Sequence, residues 1–168
     1  CNTIPVLDNM SELEKLDKAV KEPCRIGIRI ASEEEPKFEF YTSRLGIRYS
    51  DIMPFYKNVV SQNKKFSLKM LHFFINTGIR DNAYYWNELA KCVNVYCDLK
   101  AVCPELDSLN IGGGFPIKNS LAMDFEYEYM AEEVVAQIKS ICEQRGVREP
   151  NIFTEFGSYT VGESGAML

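Results

Sequence analysis

The chain has 168 residues, of which 46% are hydrophobic and 26% charged, and its formal net charge is -5. This composition is typical of one soluble globular domain with a substantial core. The acidic balance, without a basic stripe or a long apolar run, excludes nucleic acid and a membrane from the expected partners.

The first part of the chain predicts two strands with a helix between them. Thr3 to Leu7 is a short strand rich in β-branched residues. Ser11 and Glu14 fit the capping box of a helix, and apolar residues follow at helical spacing. Arg25 to Ile30 alternates isoleucine with other residues, which predicts the next strand.

Residues 31–49 are less regular and predict a solvated loop with a small extension. A helix is expected from Ser50, with Pro54 in its first turn, where proline is tolerated. Lys69 to Ile75 is nearly continuous in apolar residues, which is typical of a strand buried on both faces.

The second half predicts two long helices, from about Ala83 to Val102 and from about Phe125 to Arg145. Between them, Ser108 to Ile111 is a strand that leads directly into three glycines. Asn151 to Thr154 is the last predicted strand.

The order of these elements is therefore βαβαβαβαβ, and strict alternation predicts an α/β fold with a parallel sheet. Five such strands fit an open doubly wound sheet or five of the eight strands of a closed barrel, and periodicity alone does not decide between these. The chain begins at Cys1 and ends with apolar residues after a Gly-rich turn. We therefore expect both ends to be cuts through a longer protein, which favours the barrel.

The six cysteines predict buried thiols in a reducing compartment, because their spacing fits neither a CxxC pair nor a small disulfide-rich domain. His72 is the single histidine, so a zinc site is not expected. A cytoplasmic location follows from this interpretation. The cysteines are Cys1, Cys24, Cys92, Cys97, Cys103 and Cys142.

Three consecutive glycines, Gly112 to Gly114, follow a buried strand. Their main-chain N–H groups can approach and hold a phosphate closely, and the alternative is a permissive turn without a ligand. The spacing does not fit a dinucleotide-binding fingerprint, which needs GxGxxG at the start of a helix. We favour the anion cradle.

Two further strand ends carry polar residues. Glu155 follows the last strand, where a carboxylate can act as a base, bind a metal, pair with a cationic ring nitrogen, or simply face solvent. His72 lies in an apolar strand, and such a histidine is more often a packed, satisfied residue than a catalyst. Thr77 can bind a phosphate or cap the turn.

Together these strand ends resemble those of the fold-type III pyridoxal phosphate (PLP) enzymes, which include alanine racemase and several amino acid decarboxylases. The decarboxylases typically show LHFHIGS, GGGF and EPGR in this order. The corresponding stretches here are Leu71 to Thr77, Gly112 to Phe115, and Glu155 to Ser158. Asp8 to Glu14 resembles the family's turn ending in ELE, and Ser43 to Ile47 its SRFG segment. The sequence around these motifs looks most like that of a bacterial biosynthetic arginine decarboxylase.

The resemblance implies a parallel (β/α) barrel of the alanine-racemase type, incomplete at about five of eight βα units. It also implies PLP as cofactor and a reaction that converts arginine to agmatine in polyamine biosynthesis. Glu155 would face the pyridine nitrogen and keep it protonated. The phosphate would be held by the glycine turn and a nearby hydroxyl, and positive charge would come from an arginine. The implied cofactor-binding residues are Glu155, Gly112, Gly113, Gly114, Thr77, Phe74, Ser158 and Arg44.

This sequence departs from the family at three positions. Phe74 replaces the histidine that lies against the cofactor ring, so stacking remains but hydrogen bonding is lost. Ser158 replaces an arginine that contacts the phosphate, and Asn76 replaces a glycine. These changes also suit a non-catalytic homologue that binds a protein partner.

The resemblance further implies that residues 1–168 are a fragment of the PLP-binding barrel domain. The lysine that holds the cofactor would precede the chain, and a C-terminal β domain with a catalytic cysteine would follow it. We therefore expect no catalytic residue in the fragment and no activity from it alone, and a homodimer or higher homo-oligomer for the whole protein. Two enzyme alternatives stay open: a decarboxylase of another basic amino acid, and an unrelated barrel that binds a sugar phosphate.

Overall fold

The chain folds into a parallel sheet with helices between its strands. The structure, a computed structural model, describes residues 3–31, 45–75, 82–115 and 126–161. The strands are β1 (Val6–Leu7), β2 (Cys24–Ala31), β3 (Ile47–Arg48), β4 (Phe66–His72), β5 (Ser108–Asn110) and β6 (Asn151–Phe153). The helices are α1 (Glu12–Ala19), α2 (Tyr49–Phe55), α3 (Asn82–Lys100), α4 (Tyr127–Gln144) and α5 (Gly157–Val161).

The strand order decides between the two architectures that periodicity leaves open. All described strand pairs are parallel, and the main path through the sheet is β1-β2-β4-β5-β6, with β3 paired to β2. A doubly wound sheet reverses its strand order, because its helices must cover both faces. An order without reversal, joined by right-handed connections, keeps the helices on one face, as in a barrel. The predicted α/β class and parallel sheet are confirmed.

The core lies between the sheet and its helices. The isoleucines of β2 have 0–2% of their surface exposed and belong to one buried cluster with apolar residues of α2, α3 and α4. Each such side chain contributes roughly 1.5–3 kcal/mol when it leaves water, so this layer supplies much of the stability. None of the helices in the described ranges is both long and apolar enough to cross a membrane.

The start of α1 differs from the predicted capping box. Ser11 is the N-cap residue, but its hydroxyl donates to Asn9 Oδ1 and makes no cap hydrogen bond. Glu12 Oε2 instead accepts a 2.6 Å hydrogen bond from the main-chain N–H of Asp8. A carboxylate therefore satisfies an N–H in the loop before the helix. The predicted pair is wrong because the Ser11 hydroxyl is turned to Asn9 and does not cap the helix.

The position of Pro54 also differs from the prediction. The helix begins at Tyr49, so Pro54 lies inside α2 and not in its first turn. Proline cannot donate the hydrogen bond that this position needs. The helix continues directly as a π-helical segment, Tyr56–Val60, whose wider turns suit a chain that has lost one regular bond.

Two short elements were not predicted. β3 pairs with the end of β2, Ile30 opposite Ile47, and its two residues are too few to give a periodic signal. α5 begins at Gly157, four residues after the end of β6, where no helix was predicted.

Candidate functional site

The carboxyl ends of four neighbouring strands place a row of side chains on the face away from the helices. The register puts Arg29 beside His72, His72 beside Asn110, and Asn110 beside Phe153. Successive residues of a strand point to opposite faces, so this row faces away from the core. The preceding row is fully buried against the helices and contains Ile28, Leu71 and Leu109.

Glu155 lies directly against the glycine turn, as the sequence predicts for two neighbouring strand ends. Its main-chain N–H donates a 2.9 Å hydrogen bond to the carbonyl oxygen of Gly112. Its carboxylate Oε1 accepts another 2.9 Å hydrogen bond from Asn110 Nδ2. Both the backbone and the side chain of Glu155 are therefore tied to the end of β5.

Steric crowding accounts for the three glycines. Gly112 and Gly114 have positive φ angles of 71° and 86°, which strain any other residue. A Cβ atom on Gly112 would lie 2.6 Å from the carbonyl oxygen of Phe73, and one on Gly113 would overlap that of Glu155. The turn therefore passes too close to its neighbours for side chains, which is sufficient reason for glycine even without a ligand.

The same turn also presents hydrogen-bond donors. The N–H of Gly112 donates to Asn110 Oδ1 over 2.9 Å. The N–H groups of Gly113 and Gly114 donate to none of the residues that the structure describes. Consecutive main-chain N–H groups in a turn of this kind can form a concave anion site. The turn thus fits a phosphate, and the observation favours the anion cradle that the sequence suggests.

Phe74 follows β4 and contacts the glycine turn. Its Cδ2 atom lies 3.2 Å from the point where a Cβ on Gly112 would be. The ring therefore borders the turn at the position where the sequence pattern predicts a stacking residue.

His72 is packed, as the sequence predicts, but it is not fully satisfied. The residue is 9% exposed, and its Nδ1 atom has no hydrogen-bond partner among the described residues. Burial lowers the pKa of His72, and nearby Arg29 lowers it further, whereas the charge of Glu155 opposes this shift. A neutral imidazole is therefore favoured beside the site.

Arg29, Asp8 and Asn110 belong to this edge but were not among the predicted residues. Arg29 Nη1 lies 3.2 Å from Asp8 Oδ1, and the two side chains are 20% and 27% exposed. The available signal was a charged residue between two isoleucines, and an asparagine two residues before the glycine run. The two paired charges and the amide show that this edge is polar across several strands.

Three of the predicted residues cannot be placed at the site. Arg44 and Thr77 lie outside the described residues. The backbone of Ser158 belongs to α5, which starts two residues after Glu155, but its side chain lies outside the described part. The described residues contain no group of three or more histidine, cysteine, aspartate or glutamate side chains that could hold a metal.

An apolar cavity of about 710 Å³ lies beside the glycine turn, between the last two strands and α4. The rings of Phe115 and Phe156 stack at its border, with their centroids 4.9 Å apart. Its lining is mostly hydrophobic, so it offers little to a phosphate. The polar edge near Glu155 is therefore the better candidate for a charged ligand.

Sequence comparison places the chain among known enzymes. The family described as "Pyridoxal-dependent decarboxylase, pyridoxal binding domain" matches residues 2–162. The biosynthetic arginine decarboxylase of Geobacter sp. (strain M21) is 26% identical over 178 residues, which cover 97% of this chain and 28% of that protein. The enzyme of the same name from Pelobacter propionicus is 29% identical over 133 residues, 75% of this chain and 21% of that protein. The chain thus spans under a third of the length of these relatives.

Solved structures share the fold. The biosynthetic arginine decarboxylase SpeA from Campylobacter jejuni superposes with a TM-score of 0.70 at 26% identity, covering 92% of this chain and 26% of that one. Diaminopimelate decarboxylase from M. jannaschii, in complex with L-lysine, gives a TM-score of 0.72 at 19% identity, covering 91% and 37%. The barrel-type strand order thus recurs in neighbours whose sequences differ widely.

Proposed function

Since this chain belongs to the family of pyridoxal-dependent decarboxylases, whose pyridoxal-binding domain matches residues 2–162, we propose that the full-length protein converts arginine to agmatine and CO2. The cofactor is PLP, as the sequence resemblance implies. The observation that carries the proposal is the contact between Glu155 and the glycine turn, because it unites a carboxylate and an anion site at one edge of the sheet.

Glu155 is the residue that would hold a proton on the ring nitrogen. Loss of CO2 leaves an electron pair on the substrate Cα, and the bound cofactor supplies a protonated ring that withdraws it. An anion beside this nitrogen raises its affinity for the proton. One oxygen of Glu155 is held by Asn110, while Oε2 accepts no hydrogen bond from the described residues. That second oxygen is the one available for the ring.

The glycine turn would bind the cofactor phosphate through the N–H groups of Gly113 and Gly114. Two donors in a fixed turn lose little conformational entropy when an anion binds them, which favours a tight and specific contact. We assign the ring-stacking position to Phe74, whose side chain already borders this turn. Thr77, Ser158 and Arg44 complete the proposed set, as a hydroxyl, a second hydroxyl and a positive charge.

The preference for arginine is supported by the names of the relatives. No described residue identifies the substrate side chain, so other basic amino acids are the first competitors. Phe74 and Ser158 replace a histidine and an arginine of the family, and this replacement favours the second candidate, a non-catalytic homologue that binds a protein.

A test of the proposed function uses the full-length protein, PLP and arginine, with agmatine measured by mass spectrometry. Ornithine, lysine and diaminopimelate serve as competing substrates. Glu155→Gln should reduce turnover by about a hundredfold or more, because an amide cannot hold the ring proton by charge. Glu143→Gln, on the exposed surface of α4, is the matched control and should change little.

The outcome separates the candidates. Agmatine from arginine, lost in the Glu155 variant and kept in the Glu143 variant, supports the proposal. Faster turnover of another amino acid would replace arginine as the substrate. A full-length protein that binds PLP but turns over none of the four would be the non-catalytic homologue.

We also propose that the lysine that holds the cofactor lies outside residues 1–168, so that this chain alone forms no agmatine. Incubation of the 168-residue chain with PLP and arginine tests this, and agmatine above background would contradict it. A homodimer or higher oligomer stays a prediction for the full-length protein, to be measured by analytical ultracentrifugation.

A further inference from the structure

Asn110 stands between the two parts of the proposed cofactor site. It is the last residue of β5, half-buried, and the register places it between His72 and Phe153. The glycine turn begins two residues later. No other described side chain hydrogen-bonds both to the turn and to Glu155.

The two hydrogen bonds of Asn110 have opposite polarity. Its Oδ1 accepts from the N–H of Gly112, and its Nδ2 donates to Oε1 of Glu155, each over 2.9 Å. The N–H can only donate and the carboxylate can only accept, so the orientation of the amide is determined by its partners. An aspartate here would keep the first bond but place two carboxylate oxygens against each other. An apolar residue would lose both.

These bonds close a ring of contacts around Glu155. Its main-chain N–H is bonded to the carbonyl oxygen of Gly112, and its carboxylate is bonded to Asn110. Among the described residues, only Oε1 of this carboxylate accepts a hydrogen bond, which leaves Oε2 for the cofactor in the proposed site. A displacement of Asn110 would therefore shift the carboxylate and the anion-binding turn together.

We propose that Asn110 is a positioning residue that aligns the Glu155 carboxylate with the glycine turn, so that one cofactor contacts both. This inference rests on the proposed function. Asn110 acts through Glu155 and Gly112. Its amide also stabilises the negative charge of Glu155, since a neutral donor beside an anion is favourable and a second anion is not.

The test compares four forms of the full-length protein: wild type, Asn110→Asp, Asn110→Ala, and Asn110→Asp combined with Glu155→Gln. The double variant restores a hydrogen bond between the two positions with its polarity reversed. The matched control is Asn58→Asp, which adds the same charge at an exposed position of the π-helical segment. Three quantities are measured: PLP affinity by equilibrium dialysis, thermal unfolding, and hydrogen exchange of the Gly112 amide without cofactor.

Asn110→Asp should weaken PLP binding by about tenfold or more while the Gly112 amide stays protected, because only the bond to Glu155 is lost. Asn110→Ala should weaken binding and also expose the Gly112 amide to exchange. The double variant should recover thermal stability relative to Asn110→Asp but not PLP affinity, since position 155 then has no charge to offer the ring. A purely structural role for Asn110 would predict recovery of both.

The inference is overturned if wild type and Asn110→Asp bind PLP equally tightly, or if the double variant recovers full affinity. A wild-type protein that does not bind PLP overturns the proposed function and, with it, the positioning role. The exchange and unfolding data would then still report whether positions 110 and 155 are coupled, so the two failures are distinguishable.

Discussion

The carbonyl oxygen of Glu155 occupies the space that a side chain on Gly113 would need. The close approach follows from the neighbouring positions of β5 and β6 and from the hydrogen bond between the N–H of Glu155 and Gly112. A residue expected to act chemically and a residue expected to act through its backbone are therefore in direct van der Waals contact. A substitution that moves one of these residues should therefore also move the other.

Gly113→Ala should lower the free energy of unfolding by about 1–3 kcal/mol, because the new methyl group would have to push the end of β6 away. It should also weaken PLP binding, since Glu155 would move with the strand. Urea denaturation and equilibrium dialysis of the full-length protein measure the two effects.

Gly157→Ala is the control for this substitution. Apart from its chain neighbours and its own helix backbone, no atom of the described residues lies within 4 Å of the position of its Cβ, and it is the first residue of α5. Alanine there should be neutral or stabilising, by up to about 1 kcal/mol. Equal losses in the two variants would contradict the steric argument.

The parts of the fold that follow from local pattern were predictable. The alternating isoleucines identified β2, and the glycine run marked the end of β5. The cross-strand row of Arg29, His72 and Asn110 was not predictable, because it depends on the register between strands that are far apart in sequence. Periodicity specifies which face a residue occupies but not which residue of another strand lies beside it.

The choice between a barrel and an open sheet was not predictable for the same reason. Both architectures have the same alternation of strands and helices, and they differ only in the spatial order of the strands. The helix ends were less predictable for a different reason. At α1, two glutamates lie close to the helix start, and the Ser-x-x-Glu pattern does not show that Glu12 accepts the N–H of Asp8.

Tyr49→Phe should destabilise the packing of α2 against α3. The Tyr49 hydroxyl donates a 2.8 Å hydrogen bond to Glu88, whose side chain is 1% exposed and also binds Lys91. Without the hydroxyl, a buried carboxylate loses a donor, which costs about 1–3 kcal/mol. The change is measured by urea denaturation.

Tyr56→Phe provides the comparison, because the same atom is removed at the surface. The Tyr56 hydroxyl donates to the carbonyl oxygen of Val102 over 3.4 Å, and water can replace this partner. We expect a loss below about 0.5 kcal/mol. A larger loss at Tyr56 than at Tyr49 would show that the buried carboxylate is not what makes the contact important.

Asp8→Asn should cost more stability than the same substitution at Asp98. The pair of Asp8 and Arg29 is partly buried at the carboxyl edge of the sheet, whereas Asp98 pairs with Arg145 on the exposed surface of the helices. Exposed ion pairs contribute about 0–1 kcal/mol to stability. Removing one partner of a partly buried pair costs more stability, because the other charge is left unpaired. Matched urea denaturation curves of the two variants give the difference directly, and equal losses would show that burial does not strengthen the inner pair.

His72 should make stability depend on pH. Burial is the main cause that lowers the pKa of His72 below its ordinary value of 6.5. At pH values above 6.5 the imidazole is neutral in both the folded and the unfolded chain, so the full stability is present. As the pH falls below 6.5, the unfolded chain takes up a proton first, and stability declines until the lower pKa of the folded state is reached.

The prediction is tested by the free energy of unfolding at about pH 7.5 and about pH 5.5 for wild type and His72→Gln. The wild-type protein should lose more stability between the two conditions than the variant does, because the variant has no imidazole to protonate. Glu155→Gln gives a second test. The charge of Glu155 raises the pKa of His72, whereas Arg29 lowers it. Neutralising Glu155 should therefore extend the decline in stability to lower pH. If the two proteins with and without His72 respond identically to acid, the imidazole is not buried in the way that its contacts with Arg29 and Asn110 imply.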